Sequence, residues 1–150
     1  MNHFNYKDIF SFQGIKIGVT IENSWIIRKG DHFLDLRFDS ISNTIFWLPI
    51  LEIDYNEFTE TLKGALETLK RKDLIPKLLD SLPINEMLNI ALLSDSKYWV
   101  KLAMEWVDKI PDKNIFANAL ERICKDKKYS QKLRHASMKY LAQIRRNNHN

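Results

Sequence analysis

The sequence has a single cysteine, Cys124, and no apolar run long enough to cross a membrane. One cysteine excludes an intramolecular disulfide and any zinc site built from several cysteines. A membrane helix needs about 18 apolar residues in succession, whereas the longest run, 45–51, is strand-length and contains Pro49. The first ten residues lack a basic region followed by an apolar core, so we expect no secretory signal. These absences predict a cytoplasmic protein with no membrane partner.

Glycine and histidine are also scarce, with four residues of each type. The glycines form no phosphate-binding loop, and no Gly-x-Ser-x-Gly motif is present. The histidines have no metal-ligand spacing with one another or with Cys124; they are His3, His32, His135 and His149. We therefore predict a protein that has no cofactor, no metal site and no catalytic activity.

The composition is that of a globular protein, with 45% hydrophobic and 28% charged residues in a chain of 150. This length fits one domain of ordinary size. No stretch reads as an interdomain linker, so we predict a single domain over 1–150. Within it we expect a β-rich part over 1–53 and a helical part over 54–146.

The first part alternates with the period of two that is typical of half-buried strands. The clearest run is 15–22, where β-branched residues alternate with polar or small ones. Further strands are predicted for 25–27, 33–39 and 44–48, so that Trp25 and Trp47 both lie in an antiparallel sheet. In the run 33–39, one face is expected to be apolar and the other solvated; the apolar side chains are Leu34, Leu36 and Phe38, and the solvated ones Asp35, Arg37 and Asp39.

The period changes to 3.6 near residue 54, where Asp54 or Asn56 can cap a first helix. Short helices are predicted around 75–81, with Pro76 in the first turn, and around 85–92. Longer helices should begin near residues 95, 113 and 131, the last two capped by Asp112 and Ser130. The expected fold is α+β, with a small antiparallel sheet followed by five or six antiparallel helices, HEAT-like at the C-terminus. Side chains placed in the helical core are Trp99, Trp106 and Cys124.

Two charged sets are candidate binding surfaces, because charge is strongly segregated along the chain. Residues 1–60 have a net charge of −4, and residues 121–150 have a net charge of +7. The first set surrounds the predicted hairpin and is a candidate partner-binding surface: Glu22, Asp31, His32, Asp35, Arg37 and Asp39. The second is a basic surface that fits nucleic acid: Lys125, Lys127, Lys128, Lys132, Arg134, Lys139, Arg145 and Arg146.

Two segments of the helical part resemble a known kind of protein. The pattern Trp-Val-x-Leu-Ala-x-x-Trp spans 99–106, and the run Ser-Gln-Lys-Leu-Arg-His-Ala spans 130–136. They resemble small bacterial proteins with HEAT-like helices, including immunity proteins of contact-dependent inhibition and related polymorphic toxin systems. The resemblance covers roughly 94–142 and leaves the sheet unmatched. It implies a protein that binds and neutralises a cognate toxin without catalysis.

Other functions fit parts of the same sequence. The basic set favours an alternative, a nucleic-acid-associated protein that uses its C-terminal helices. A third interpretation is an enzyme in which His32 acts as acid or base with Asp31 and Asp35. Alternating charges are also what the outer face of a sheet requires, and we prefer that interpretation for the hairpin. A basic toxin would contact the acidic set, and an acidic toxin the helical end.

Overall fold

A computed structural model describes residues 5–69 and 72–149, apart from the side chains of Asn43 and Lys72. It has two compact units, Met1–Ile84 and Asn85–Asn150. The first unit contains the sheet and two helices, and the second contains further helices, which confirms the predicted α+β class. The division falls inside the helical part, so the first two helices belong with the sheet. The assignment of 1–150 to a single domain stays a prediction.

The first unit is built on a four-stranded antiparallel sheet in the order β1-β2-β3-β4. The strands are β1 (Tyr6–Phe12), β2 (Ile15–Thr20), β3 (Trp25–Lys29) and β4 (His32–Asp35). Gly14 and Gly30 turn the chain between strands with φ values of 81° and 57°, in the left-handed region that glycine enters without steric cost. Short connections therefore produce a simple meander, as the spacing of the strands predicts.

Strand β1 is absent from the sequence-based prediction because its side chains do not alternate regularly. Its register with β2 shifts between Asp8 and Phe10, which is the signature of a β-bulge. A bulge moves the following side chains to the other face of the sheet. Beyond it, Phe10 contacts Phe58 edge-on at 5.0 Å between ring centroids. The bulge therefore conceals a strand whose second half packs on a helix.

The strand predicted for 44–48 is wrong. This segment lies between two short 3-10 helices, Ile41–Asn43 and Leu48–Glu52. Trp47 is buried, but not in the sheet, and its indole Nε1 donates to the carbonyl oxygen of Thr44 at 2.8 Å. A turn that satisfies the indole within the same segment replaces the extended conformation.

The predicted strand 33–39 is correct only as far as Asp35, where β4 ends. The amide of Leu36 still donates to the carbonyl oxygen of Trp25, and the chain then turns, with the amide of Phe38 donating back to the carbonyl of Asp35. The two faces predicted for this run therefore do not form. Phe38, which was expected on the apolar face, is 79% exposed.

The helices of the first unit follow their sequence signals closely. They are α1 (Tyr55–Glu67) and α2 (Ile75–Ser81). Asp54 caps α1, because its carboxylate accepts from the amides of Asn56 and Glu57 at 3.0 and 3.2 Å. The indole Nε1 of Trp25 donates to the carbonyl oxygen of Leu78 at 2.9 Å and thereby links α2 to β3.

The second unit consists of helices joined by short turns. They are α3 (Ile84–Leu92), α4 (Lys97–Val107), α5 (Ala117–Lys125) and α6 (Gln131–Asn148). Ser96 caps α4 and Ser130 caps α6 with their hydroxyl oxygens. Asp112 accepts from the amide of Asn114 at the start of a short 3-10 helix. The α-helical part of α5 therefore begins later than predicted.

The core of the second unit corrects two predictions about burial. Trp106 is buried as expected, whereas Trp99 is only partly buried. Cys124 is also partly exposed rather than buried. In the middle of α6, the Tyr140 hydroxyl donates to Asp108 at 2.9 Å. Burial, together with this bond, raises the pKa of Tyr140 above its ordinary value.

None of the helices in the described ranges has the length and apolar character needed to cross a membrane.

Candidate binding surfaces

Arg37 organises the acidic set of the first unit into a hydrogen-bonded network. Its guanidinium donates to both carboxylate oxygens of Asp35, with Nε 3.0 Å from Oδ1 and Nη2 2.6 Å from Oδ2. A third nitrogen, Nη1, pairs with the carboxylate of Glu22. Asp39 completes the network by accepting from the backbone amide of Asp35 at 2.9 Å. Four of the six predicted side chains are thus brought together.

Asp35 is only 3% exposed, so its placement on a solvated face was wrong. A buried carboxylate is stable when its charge is paired and its oxygens accept hydrogen bonds. Hydrogen bonding to Arg37 lowers the pKa of Asp35 below its ordinary value, despite the opposing effect of burial. Asp35 and Glu22 in turn raise the pKa of Arg37. The network therefore fixes the chain reversal that follows β4.

Replacing Asp35 with Asn should destabilise the protein by about 2 kcal/mol at neutral pH, because charge-assisted bonds to Arg37 are lost. The folded-state pKa of Asp35 is lowered. The ionised Asp35 side chain therefore makes its full contribution to the free energy of unfolding above the ordinary carboxyl pKa of about 3.9. This contribution is lost as the pH falls through the folded-state pKa. The difference in free energy of unfolding between wild type and the Asp35→Asn variant should therefore become smaller below about pH 4.

Urea denaturation from neutral pH down to about pH 3 measures this difference. The matched control is Asp31→Asn, since Asp31 is exposed in the β3–β4 turn; it should change stability by less than about 0.5 kcal/mol. If the difference in free energy of unfolding between wild type and Asp35→Asn becomes larger as the pH falls, the lowered pKa of Asp35 in the folded state is contradicted.

The other two members of the set lie apart from the Arg37 network. Asp31 is in the turn before β4, and the imidazole of His32 stacks on Phe46, with 5.2 Å between ring centroids and 19° between planes. His32 and Asp35 are three residues apart on one strand, and so they lie on opposite faces of the sheet. The acid–base set considered from the sequence is not assembled. Within the described ranges, no three metal-binding side chains cluster.

Two exposed apolar residues adjoin members of the Arg37 network in sequence. Ile21 is 63% exposed and Phe38 is 79% exposed. Ile21 precedes Glu22 in sequence, and the Arg37 guanidinium carbon lies 5.0 Å from the centre of the Phe38 ring. Because Arg37 pairs with Glu22, the two exposed apolar residues are the chain neighbours of the two partners in one ion pair. We call Ile21, Glu22, Arg37 and Phe38 the Arg37 surface.

The second unit contains a cleft of about 560 Å³ that we call the basic groove. Three parts of the unit line it: the first turns of α4, the connection between α5 and α6, and the first turn of α6. The lining residues are Lys97, Lys101, Lys127, Lys128, Tyr129, Ser130, Gln131, Leu133 and Arg134. Five of these nine residues are cationic, and none is acidic.

Polar contacts hold the α5–α6 connection beside the start of α4. The ammonium of Lys128 pairs with Asp95 at 3.0 Å and lies 5.1 Å from the centre of the Tyr129 ring. Arg134 Nε donates to the carbonyl oxygen of Tyr129 at 3.2 Å. Pairing lowers the pKa of Asp95 and raises that of Lys128. Both groups therefore stay charged over a wide pH range.

The predicted basic set divides into two groups, and only one of them lines the groove. Lys127, Lys128 and Arg134 line it. Lys132, Lys139 and Arg146 are seven residues apart in sequence, a spacing that places them on one side of α6. This exposed row is the α6 stripe. Lys125 and Arg145 are exposed and belong to neither group.

The contribution of α4 to the groove was not predicted from the sequence. Lys97 and Lys101 are four residues apart in sequence and so share a side of α4, which was a usable local signal. Tyr98, beside them, is 53% exposed. The proximity of Lys97 and Lys101 to Lys128 is not visible in the sequence, because the contact between Asp95 and Lys128 joins segments more than 30 residues apart.

No protein-family model, curated protein or solved structure matches this chain.

Proposed function

We propose that this chain is a cytoplasmic immunity protein that binds and neutralises a cognate toxin domain and has no catalytic activity of its own. The resemblance in 99–106 and 130–136 suggested this role. The observation that supports it best is the Arg37 surface, where two exposed apolar residues adjoin in sequence the two partners of an ion pair. Protein partners bind such surfaces through a small apolar centre with a charged surround.

Preorganisation adds to this argument. Ordering a long side chain at an interface costs about 0.5–1.5 kcal/mol of binding free energy. The Arg37 side chain is already held by Asp35 and Glu22 and contacts the Phe38 ring. It is therefore largely ordered before a partner binds, and the entropy cost of binding is lower. Arginine and aromatic residues are also enriched among side chains that dominate binding energy. Arg37 and Phe38 therefore form a suitable anchor.

Charge indicates the kind of toxin. Residues 1–84 have 12 acidic and ten basic side chains, a net charge of −2. Asp31 is exposed, and Glu22 remains largely exposed beside Arg37. Complementary charge speeds association and disfavours wrong partners. We therefore propose a basic toxin domain for this surface.

The test is growth of cells that express a toxin encoded beside the gene together with each variant of this chain. The double variant Ile21→Ala/Phe38→Ala should lose protection and bind the toxin at least about thirtyfold more weakly, which corresponds to about 2 kcal/mol. The matched control is Ile115→Ala/Met138→Ala, because these side chains are 49% and 50% exposed in the second unit. This control should protect as well as wild type.

Stability separates loss of binding from loss of folding. All four side chains are largely exposed, so each substitution should change the free energy of unfolding by less than about 0.5 kcal/mol. If the Ile21→Ala/Phe38→Ala variant still protects, the Arg37 surface is not the interface. If the wild type neither binds nor protects against any adjacent toxin, the immunity function itself is wrong.

A further inference from the structure

We propose that the basic groove binds the phosphate backbone of single-stranded nucleic acid, with the exposed Tyr98, next to Lys97 on α4, as a base-stacking platform. This function goes beyond toxin binding and does not depend on it, because the groove and the Arg37 surface lie in different units. The charge of the groove, the helices that begin there and the exposed aromatic ring next to Lys97 all favour such a ligand.

The groove concentrates positive charge in a concave site. Its cationic side chains come from three separate segments of the chain: Lys97, Lys101, Lys127, Lys128 and Arg134. Asp95 and Asp126 offset part of the charge of Lys128. Residues 85–150 as a whole have 13 basic and seven acidic side chains, a net charge of +6. Lysine and arginine in such a setting bind phosphate oxygens and release the counterions of the nucleic acid.

Two helices begin at this site. Lys97 and Gln131, the first residues of α4 and α6, both line the groove. An N-terminus carries about half a positive elementary charge, since the peptide dipoles align along the helix. The dipoles add to the lysine and arginine charges already there, so the electrostatic potential favours an anion.

Tyr98 supplies the aromatic element that single-strand binding requires. It lies between Lys97 and Lys101 on α4 and is 53% exposed, with its ring 4.8 Å from the ring of Trp99 in an edge-on contact. Stacking of a base on an exposed aromatic ring is tolerant of sequence because every base has a π-face. A splayed single strand offers its bases to such a ring, whereas a duplex keeps them paired.

Fluorescence anisotropy with the full chain and a labelled oligouridylate of about ten nucleotides tests the proposal. Lys97→Ala/Lys127→Ala should weaken binding at least about tenfold at low salt and reduce the slope of log affinity against log salt by about 1.4, since each lost phosphate contact removes about 0.7. The charge-matched control, Lys63→Ala/Lys109→Ala, removes two exposed lysines outside the groove lining. It should leave the slope within about 0.3 of wild type.

Substitution of Tyr98 tests base stacking separately from the effect of charge. Tyr98→Ala should weaken oligonucleotide binding about tenfold without changing the salt slope, because stacking releases no counterions. Tyr98→Phe should restore the affinity. A structural role of the hydroxyl group would make Tyr98→Phe as weak as Tyr98→Ala, and that result would contradict stacking.

Three outcomes would overturn the proposal. The first is no oligonucleotide binding by the wild type at about 0.05 M salt. The second is an equal loss of affinity in Lys97→Ala/Lys127→Ala and Lys63→Ala/Lys109→Ala. This result would show that the net charge of the protein, and not the groove, attracts the oligonucleotide. The third is competition by polyglutamate or pyrophosphate as strong as that by unlabelled oligonucleotide, which would show an acidic peptide or a small-anion site. Loss of toxin protection in Ile21→Ala/Phe38→Ala bears on none of these results.

Discussion

Replacing Trp25 with Ala should destabilise the protein by about 4 kcal/mol, the cost typical of removing a large aromatic side chain from a core. The Trp25 side chain is 2% exposed at the start of β3. Its indole Nε1 also donates to the carbonyl oxygen of Leu78 and to Ser81 Oγ, each at 2.9 Å. The alanine variant thus loses packing and the polar link between β3 and α2 together.

Urea denaturation followed by circular dichroism measures the change, and Trp25→Phe separates its two parts. Phenylalanine retains most of the ring volume but has no N–H, so this variant should lose only about 1–2 kcal/mol. Equal losses in Trp25→Phe and Trp25→Ala would assign the effect to the hydrogen bonds. A Trp25→Ala protein as stable as wild type would contradict the placement of this side chain in the core.

The second large effect is expected at Trp106, with a loss of about 3–5 kcal/mol in Trp106→Ala. Trp106 is 2% exposed in α4, and its neighbour Val107 is fully buried. Trp99 is the matched control because it lies on the same helix, seven residues earlier, but is only partly buried. Trp99→Ala should therefore cost about 1–2 kcal/mol, since less area is removed from contact.

Thermal unfolding of both variants distinguishes this ranking from the sequence-based expectation that both tryptophans are equally structural. A Trp106→Ala variant that keeps the wild-type melting temperature but loses partner binding would mean that this face of α4 is a binding surface. Equal destabilisation by the two substitutions would mean that Trp99 is packed as fully as Trp106.

The helices follow directly from the sequence because their signals are local. Asp54 and Ser130 each accept a hydrogen bond from an amide two or three residues later, and this is a property of a short peptide segment. The 3.6-residue spacing also identifies buried positions such as Phe58 and Leu120 without knowledge of what packs against them. The fold class and most helix bounds were therefore predictable, with the start of α5 as the exception.

The strands depend on partners that the sequence does not name. The bulge in β1 exists only because Asp8 and Phe10 must align with β2. The segment around Trp47 has strand-forming residues, yet it turns because the indole finds a carbonyl of its own segment. β-propensity mainly reflects packing against neighbours, so such runs are ambiguous before those neighbours are known.

The binding surfaces show the same limit. Composition and spacing can be read directly from the sequence. They therefore revealed the segregation of charge and most of the cationic residues of the groove. Only the tertiary structure buried Asp35, paired Arg37 with Glu22, and brought Lys97 and Lys101 beside Lys128. The physical reason is that a carboxylate such as Glu22 or Asp95 pairs with any cation within a few ångströms, and the partners of these two lie 15 and 33 residues away in sequence. Which cation lies there is decided by the path of the chain and not by distance along it.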